Sequence, residues 1–139
     1  MMHIDSIQNG VVIDHIKAGS AMKLYQLLHL DRLDTSVAMI MNVTSRKMGK
    51  KDIIKIDAEI DLDLDVIGYV DPKATINIIR DGELVEKKNL DLPKELKNVI
   101  KCKNPRCISI TEQELPHIFV LTDKETETYR CKYCEVKGQ

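Results

Sequence analysis

Four cysteines carry the most specific chemical signal in this chain. Cys102 and Cys107 form a C-x4-C pair and Cys131 and Cys134 a C-x2-C pair, with 23 residues between the two pairs. Two short-spaced pairs let two loops each supply two thiolates to one tetrahedral zinc ion without long-range strain. Four thiolates fill the coordination sphere, so such a zinc is structural and leaves no position for a reactive water. A zinc deaminase needs an H-x-E element, which is missing here. A redox CxxC has no use for the second pair, and an iron site, which shares this ligand set, is the lesser alternative. Lys103, Arg106, Arg130 and Lys132 flank the cysteines and offset the charge of four thiolates around one dication. The stretch from Cys102 to Cys134 is too short to build a good apolar core. Metal binding supplies on the order of 10–16 kcal/mol of apparent stabilisation in modules of this kind.

The remaining sequence must fold around or beside that module. Its 139 residues fit one domain or two small ones. Apolar residues make up 43%, yet there is no Trp and a single Phe, Phe119, so the core must come from Val, Ile and Leu. Formal net charge is -1, and neither half is strongly basic, which argues against a nucleic-acid binder. No apolar run approaches the roughly 18 residues of a membrane span. MMHIDSIQNG lacks a basic stretch followed by an apolar one, so it does not read as a signal peptide. The expected setting is cytoplasmic and reduced, where clustered cysteines bind metal rather than pair as disulfides.

The first 97 residues alternate between strand and helix patterns. Gly10-Val11-Val12-Ile13-Asp14-His15-Ile16 reads as a strand following a turn at Asn9-Gly10. Ser20 can cap a helix in which Met22, Tyr25 and Leu28, with Leu24 and Leu27, fall at helical spacing. Residues 36–43 form a buried strand, and Lys51 to Glu59 alternate as a half-buried one. The alternation runs on through Ile60, Leu62 and Leu64, while Asp61 or Asp63 could instead cap a short helix over Val66, Ile67 and Val70. Pattern leaves that segment open. Thr75 to Arg80, a turn at Asp81-Gly82 and Glu83 to Asn89 make a hairpin. The order β-α-β-β-α-β-β argues for an α+β sheet with its helices on one face. Leu92-Pro93 and a helix-like stretch, Lys94 to Asn98, serve as a connector to the cysteine module.

Several polar residues of the first region stand out. Lys51 and Lys55 are four apart, so on a strand they share a face and could hold phosphates; from pattern alone an ordinary solvated sheet edge is the more common explanation. Asp14 and His15 interrupt an apolar strand, and Asn77 stands between Ile76 and Ile78. Each could be a ligand group or an ordinary hydrogen-bonding residue. No Walker A loop and no G-x-G-x-x-G is present. Residue patterns alone end at a small α+β domain followed by a zinc module.

GVVIDHI (10–16), MGKKDIIKI (48–56), ATINII (74–79), CKNPRCIS (102–109) and YRCKYCE (129–135) resemble, in order, blocks of the regulatory chain of aspartate carbamoyltransferase. The resemblance implies a ferredoxin-like allosteric domain over 1–97 and a small, mostly β, zinc-binding domain over 98–139. It also implies a helix near Asp63 to Val70. A non-catalytic subunit follows, one that pairs as a homodimer, docks on the catalytic chain through the zinc domain and binds CTP or ATP as effectors in pyrimidine biosynthesis. Carried over by motif, the nucleotide-binding positions are Ile4, Asp5, Ile7, Val12, Asp14, His15, Lys51, Lys55, Asn77, Ile79, Leu84 and Lys87. Asn104, Arg106 and Glu135 match positions that contact the catalytic chain, and one zinc per chain is implied. The chain departs from the family in three places. Gly82 stands where an aromatic residue is frequent, Asp5 where Glu is, and Arg106 where a second asparagine is.

Overall fold

The structure, a computed structural model, describes residues 8–112 and 114–138. It comprises two compact units that divide between Asp91 and Leu92.

In the first unit, β1 (Gly10–Lys17) leads into α1 (Ala21–Leu27), then β2 (Val37–Ser45) and β3 (Gly49–Ile56). α2 (Leu64–Val70), β4 (Thr75–Arg80) and β5 (Glu83–Asn89) complete it. The five strands form one antiparallel sheet in the order β2-β3-β1-β4-β5. Strands β1 to β4 with α1 and α2 are the split βαβ arrangement of a ferredoxin-like fold. β5 is an added edge, joined by a tight turn in which Asp81 and Gly82 both take positive φ, 53° and 76°.

Alternation along the strands decides the faces. Val11, Ile13, Ile16, Ile54, Ile56 and Ile76 are buried together with Ala21 and Leu24 of α1 and Ile67 of α2. Both helices therefore cover one side of the sheet, and the core is aliphatic as expected. Of the expected stripe of α1, Leu24 is buried and Tyr25 and Leu28 pack against the core, while Met22 is 44% exposed and Ala21 is buried instead. Ser20 occupies the position before α1 but makes no side-chain cap; the Asp52 carboxylate accepts the Ala21 N–H instead. In the segment that pattern left open, the cap prevails over the alternation. Asp63 accepts from the N–H groups of Asp65 and Val66, and α2 begins there.

The second unit is a three-stranded antiparallel sheet, β6 (Glu95–Lys97), β7 (Ile118–Asp123) and β8 (Thr128–Cys131), with one helical turn, α3 (Ile108–Thr111). Phe119 and Tyr129 are buried in it, and the Tyr129 hydroxyl donates to the Pro93 carbonyl at 2.6 Å. The expected helical connector at 94–98 is in fact β6: Leu96 is buried opposite Phe119 while Glu95 and Lys97 face out. Three alternating residues are too few to announce a strand. Their pairing with β7 draws the connector into the second unit, so the break comes before Leu92 rather than after residue 97.

Candidate functional site

Two constellations emerge, one in each unit. In the second, Cys102 and Cys107 bracket the loop 103–106, Cys131 ends β8, and Cys134 lies in the turn that follows. The four sulfurs all lie within 4.8 Å of one another, with Cys102 to Cys134 at 3.5 Å and Cys107 to Cys131 at 3.6 Å. Sulfurs about 2.3 Å from a common zinc at tetrahedral angles stand about 3.8 Å apart, so the cluster fits that ion. All four are free thiols, three of them buried. Burial pushes Cys102 up to about 12 and raises Cys131 as well. Burial also opposes ionisation of Cys107, but hydrogen bonds from Ser109, side chain and backbone, bring it down to about 7. The buried Ser109 hydroxyl lies 3.0 Å from its sulfur. A bound dication stabilises all four thiolates together, which their burial otherwise resists.

The two cysteine loops have fixed shapes. Asn104 accepts from the N–H of Arg106 through its side chain and from that of Cys107 through its carbonyl. Glu135, at φ 64°, donates its N–H to the Cys131 carbonyl, and its own carbonyl accepts from Arg130. Asn104, Arg106 and Glu135 thus sit on segments that the sulfurs gather to one point.

The first unit presents the helix-free face of its sheet. Lys87 pairs with Asn77, Asn77 with Val12, and Val12 with Lys55, a straight row across four strands. Residues directly opposite in antiparallel strands project to the same side with Cβ atoms about 4.5–5.5 Å apart. Lys51, two positions from Ile53 and four from Lys55 along β3, shares that side and meets the Asp14 carboxylate at 2.9 Å. Burial pushes Asp14 up, but the Lys51 ammonium and the His15 N–H outweigh it and hold the carboxyl below its ordinary value. Ile79 pairs with Gly10 on one side and Leu84 on the other. His15 lies in a β-bulge at φ 57°, its Nδ1 3.0 Å from the Thr75 hydroxyl. A cavity of about 410 Å³ adjoins it, lined also by Lys47 and Lys73. The Asn77 side-chain oxygen is buried with no hydrogen-bond partner among the described residues, an open acceptor in the middle of the row.

The sheet register thus gathers Val12, Asp14, Lys51, Lys55, Asn77, Ile79, Leu84 and Lys87, with His15 at their margin. Ile4, Asp5 and Ile7 lie outside the described residues. At Gly82, an added Cβ would come 3.2 Å from the Gln8 side-chain oxygen, so a larger residue requires Gln8 to move. Asp52 and Ser109, both buried, belong to neither set of candidates, although Asp52 was detectable as a charge on the apolar side of the β3 alternation.

Residues 2–91 match the family described as the aspartate carbamoyltransferase regulatory chain, allosteric domain, and residues 94–138 its metal binding domain. The chain belongs to the family of aspartate carbamoyltransferase regulatory chains. Among its relatives are regulatory chains of Clostridium tetani, 55% identical over 97% of this chain and 94% of the relative, and Bifidobacterium longum, 45% identical over 99% of each. A Clostridium botulinum regulatory chain is 51% identical over 97% of this chain and 92% of its own length. This is a non-catalytic subunit whose second unit is a metal-binding domain, and the catalytic chain is the partner that a regulatory chain implies. Among the described residues no helix is long and apolar enough to cross a membrane.

Proposed function

We propose that this regulatory chain binds nucleoside triphosphates, CTP or ATP, on the helix-free face of its first unit and relays their binding to the catalytic chain in pyrimidine biosynthesis. The observation that carries the reading is the row Lys87, Asn77, Val12 and Lys55. It combines two ammonium groups for phosphate with an unpartnered amide acceptor and an apolar floor. A buried polar atom without a partner costs about 1–3 kcal/mol, and a ligand donor over Asn77 recovers it. Asp14 suits a ribose hydroxyl, His15 lies on the phosphate side, and Ile79 and Leu84 flank base and sugar. Ile4, Asp5 and Ile7 belong to the same proposed site by motif.

One structural zinc per chain on Cys102, Cys107, Cys131 and Cys134 holds the second unit in shape, so that Asn104, Arg106 and Glu135 present a surface to the catalytic chain. The chain pairs as a homodimer and works in the cytoplasm. An effector alters activity only where it binds two states of the assembly unequally, typically by about 1–3 kcal/mol. Titration calorimetry of the chain with CTP and ATP, followed by activity of the reconstituted complex with each, tests the reading. Absence of binding by either nucleotide sinks it.

A further inference from the structure

We infer that Asp52 is a positioning residue for the proposed nucleotide face: its buried carboxylate fixes the backbone that turns Asp14 and His15 toward the ligand. The inference rests on the nucleotide reading above and adds a residue that does not itself reach the ligand face. Asp52 is fully buried on the core side of β3, where its neighbours by parity are Ile54 and Ile56. A carboxylate there is costly unless hydrogen bonds replace its water. It has three: one oxygen accepts from the N–H groups of Gly19 and Ala21 at 2.9 and 3.2 Å, the other from Asn42 at 3.0 Å.

Asn42 lies within one strand irregularity, and Gly19 and Ala21 lie in the segment that follows another. Ile13 pairs with Ile54 and Ile16 with Asp52, so Asp14 and His15 together oppose the single residue Ile53. On the other side of β3, Ile40 pairs with Ile53 and Val43 with Lys51, so Met41 and Asn42 together oppose Asp52. The second residue of each bulge takes positive φ, 57° at His15 and 61° at Asn42, a conformation that needs surrounding structure to hold it. Without the first bulge, strict alternation after Asp14 would send His15 to the core side and Ile16 outward. Asp71 assists from the far side, accepting from the Lys17 N–H at 2.7 Å. The segment after His15 is thus tied at Lys17, Gly19 and Ala21 by carboxylates, two of the three ties going to Asp52.

Asp52→Asn preserves volume but faces a backbone N–H with an amide NH2, so at least one tie is lost. ATP and CTP should then bind about tenfold more weakly, with zinc content unchanged. His15→Ala provides the discriminating arm. If Asp52 acts through the bulge, the loss in the double variant Asp52→Asn/His15→Ala is smaller than the product of the two single losses; if the carboxylate acts independently of the bulge, the two losses multiply. Full affinity in Asp52→Asn, or multiplying losses, overturns the inference while leaving the nucleotide reading intact. An unmodified chain that binds neither nucleotide removes both. Should Asp52→Asn not fold, hydrogen exchange on the unmodified chain decides: saturating ATP should slow exchange at the Gly19, Ala21 and Asn42 amides together. No change at these amides while nucleotide is bound defeats the inference.

Discussion

The Lys51 ammonium lies 2.9 Å from the Asp14 carboxylate, so two of the residues that share the sheet face already neutralise one another. Among the described residues Lys55 and Lys87 have no carboxylate partner in salt-bridge range, and they supply the net positive charge of that face. Lys55→Ala and Lys87→Ala should each weaken ATP binding about tenfold, roughly 1.4 kcal/mol, and leave adenosine binding nearly unchanged. Lys51→Ala removes a charge and also leaves Asp14 unpaired on the face that takes the anionic ligand. Its loss should therefore shrink when Asp14→Asn is added. Calorimetric titration of the four combinations measures the coupling, and additive losses would contradict it.

The same pair gives an acid-side signature. The Asp14 carboxyl is held below its ordinary value in the folded chain, so it binds a proton less readily than in the unfolded chain. Its stabilising contribution is fully present above the ordinary value near 3.8 and is lost as pH falls through the lower folded value. For a pair in partial contact with water the contribution is about 0.2–1 kcal/mol. Thermal melts of the first unit between pH 5 and about 2 should fall less steeply for Asp14→Asn than for the unmodified chain.

The hairpin at Asp81-Gly82 and the strands around it were legible because turn chemistry and alternation agreed there, and the cysteine cluster because two short-spaced pairs each confine two thiols and metal chemistry calls for four. The segment before Asp63 was not legible, since Ile60, Leu62 and Leu64 continue a strand period that local capping overrides. Glu95 to Lys97 failed for the opposite reason: three residues carry too little period, and their strand exists only through Phe119 across the ladder. The gathering of Lys55, Val12, Asn77 and Lys87 into one row depends on register among four strands, which no local pattern contains. Resemblance to a family supplied those residues, and pairing explains why they stand together.

Ser109 offers a test within the metal-binding unit. Its hydroxyl is buried 3.0 Å from the Cys107 sulfur, where a hydrogen bond from it favours the ionised form of that ligand. Partners that orient and stabilise metal ligands are typically worth 10–100-fold in affinity. Ser109→Ala should lower zinc affinity by about tenfold in competition with a chromophoric chelator, and Ser109→Thr should restore most of it. Equal affinity for all three chains would show that the hydroxyl merely fills space.

Metal removal bears on the assembly itself. Lys103, Pro105 and Arg106 of the first cysteine loop and Glu135 after the second are exposed, and the four sulfurs of the two loops lie within 4.8 Å of one another. Asn104 spends its side-chain oxygen on the Arg106 N–H, which leaves its amide nitrogen to a partner, while Glu135 holds a left-handed conformation braced by Cys131 and Arg130. On the proposed reading a metal held by the four thiolates maintains these shapes, so stripping it should release the catalytic chain. Treatment with a thiol-directed mercurial should leave active catalytic subunits that no longer respond to CTP or ATP. Asn104→Ala with Glu135→Ala should weaken assembly by about 1–3 kcal/mol through unpaired polar groups on the partner, at unchanged zinc content and nucleotide affinity. Sizing chromatography with metal analysis separates the cases. A metal-free chain that still co-elutes with its partner and still relays nucleotide effects would mean that the interface is organised by something other than the four thiolates.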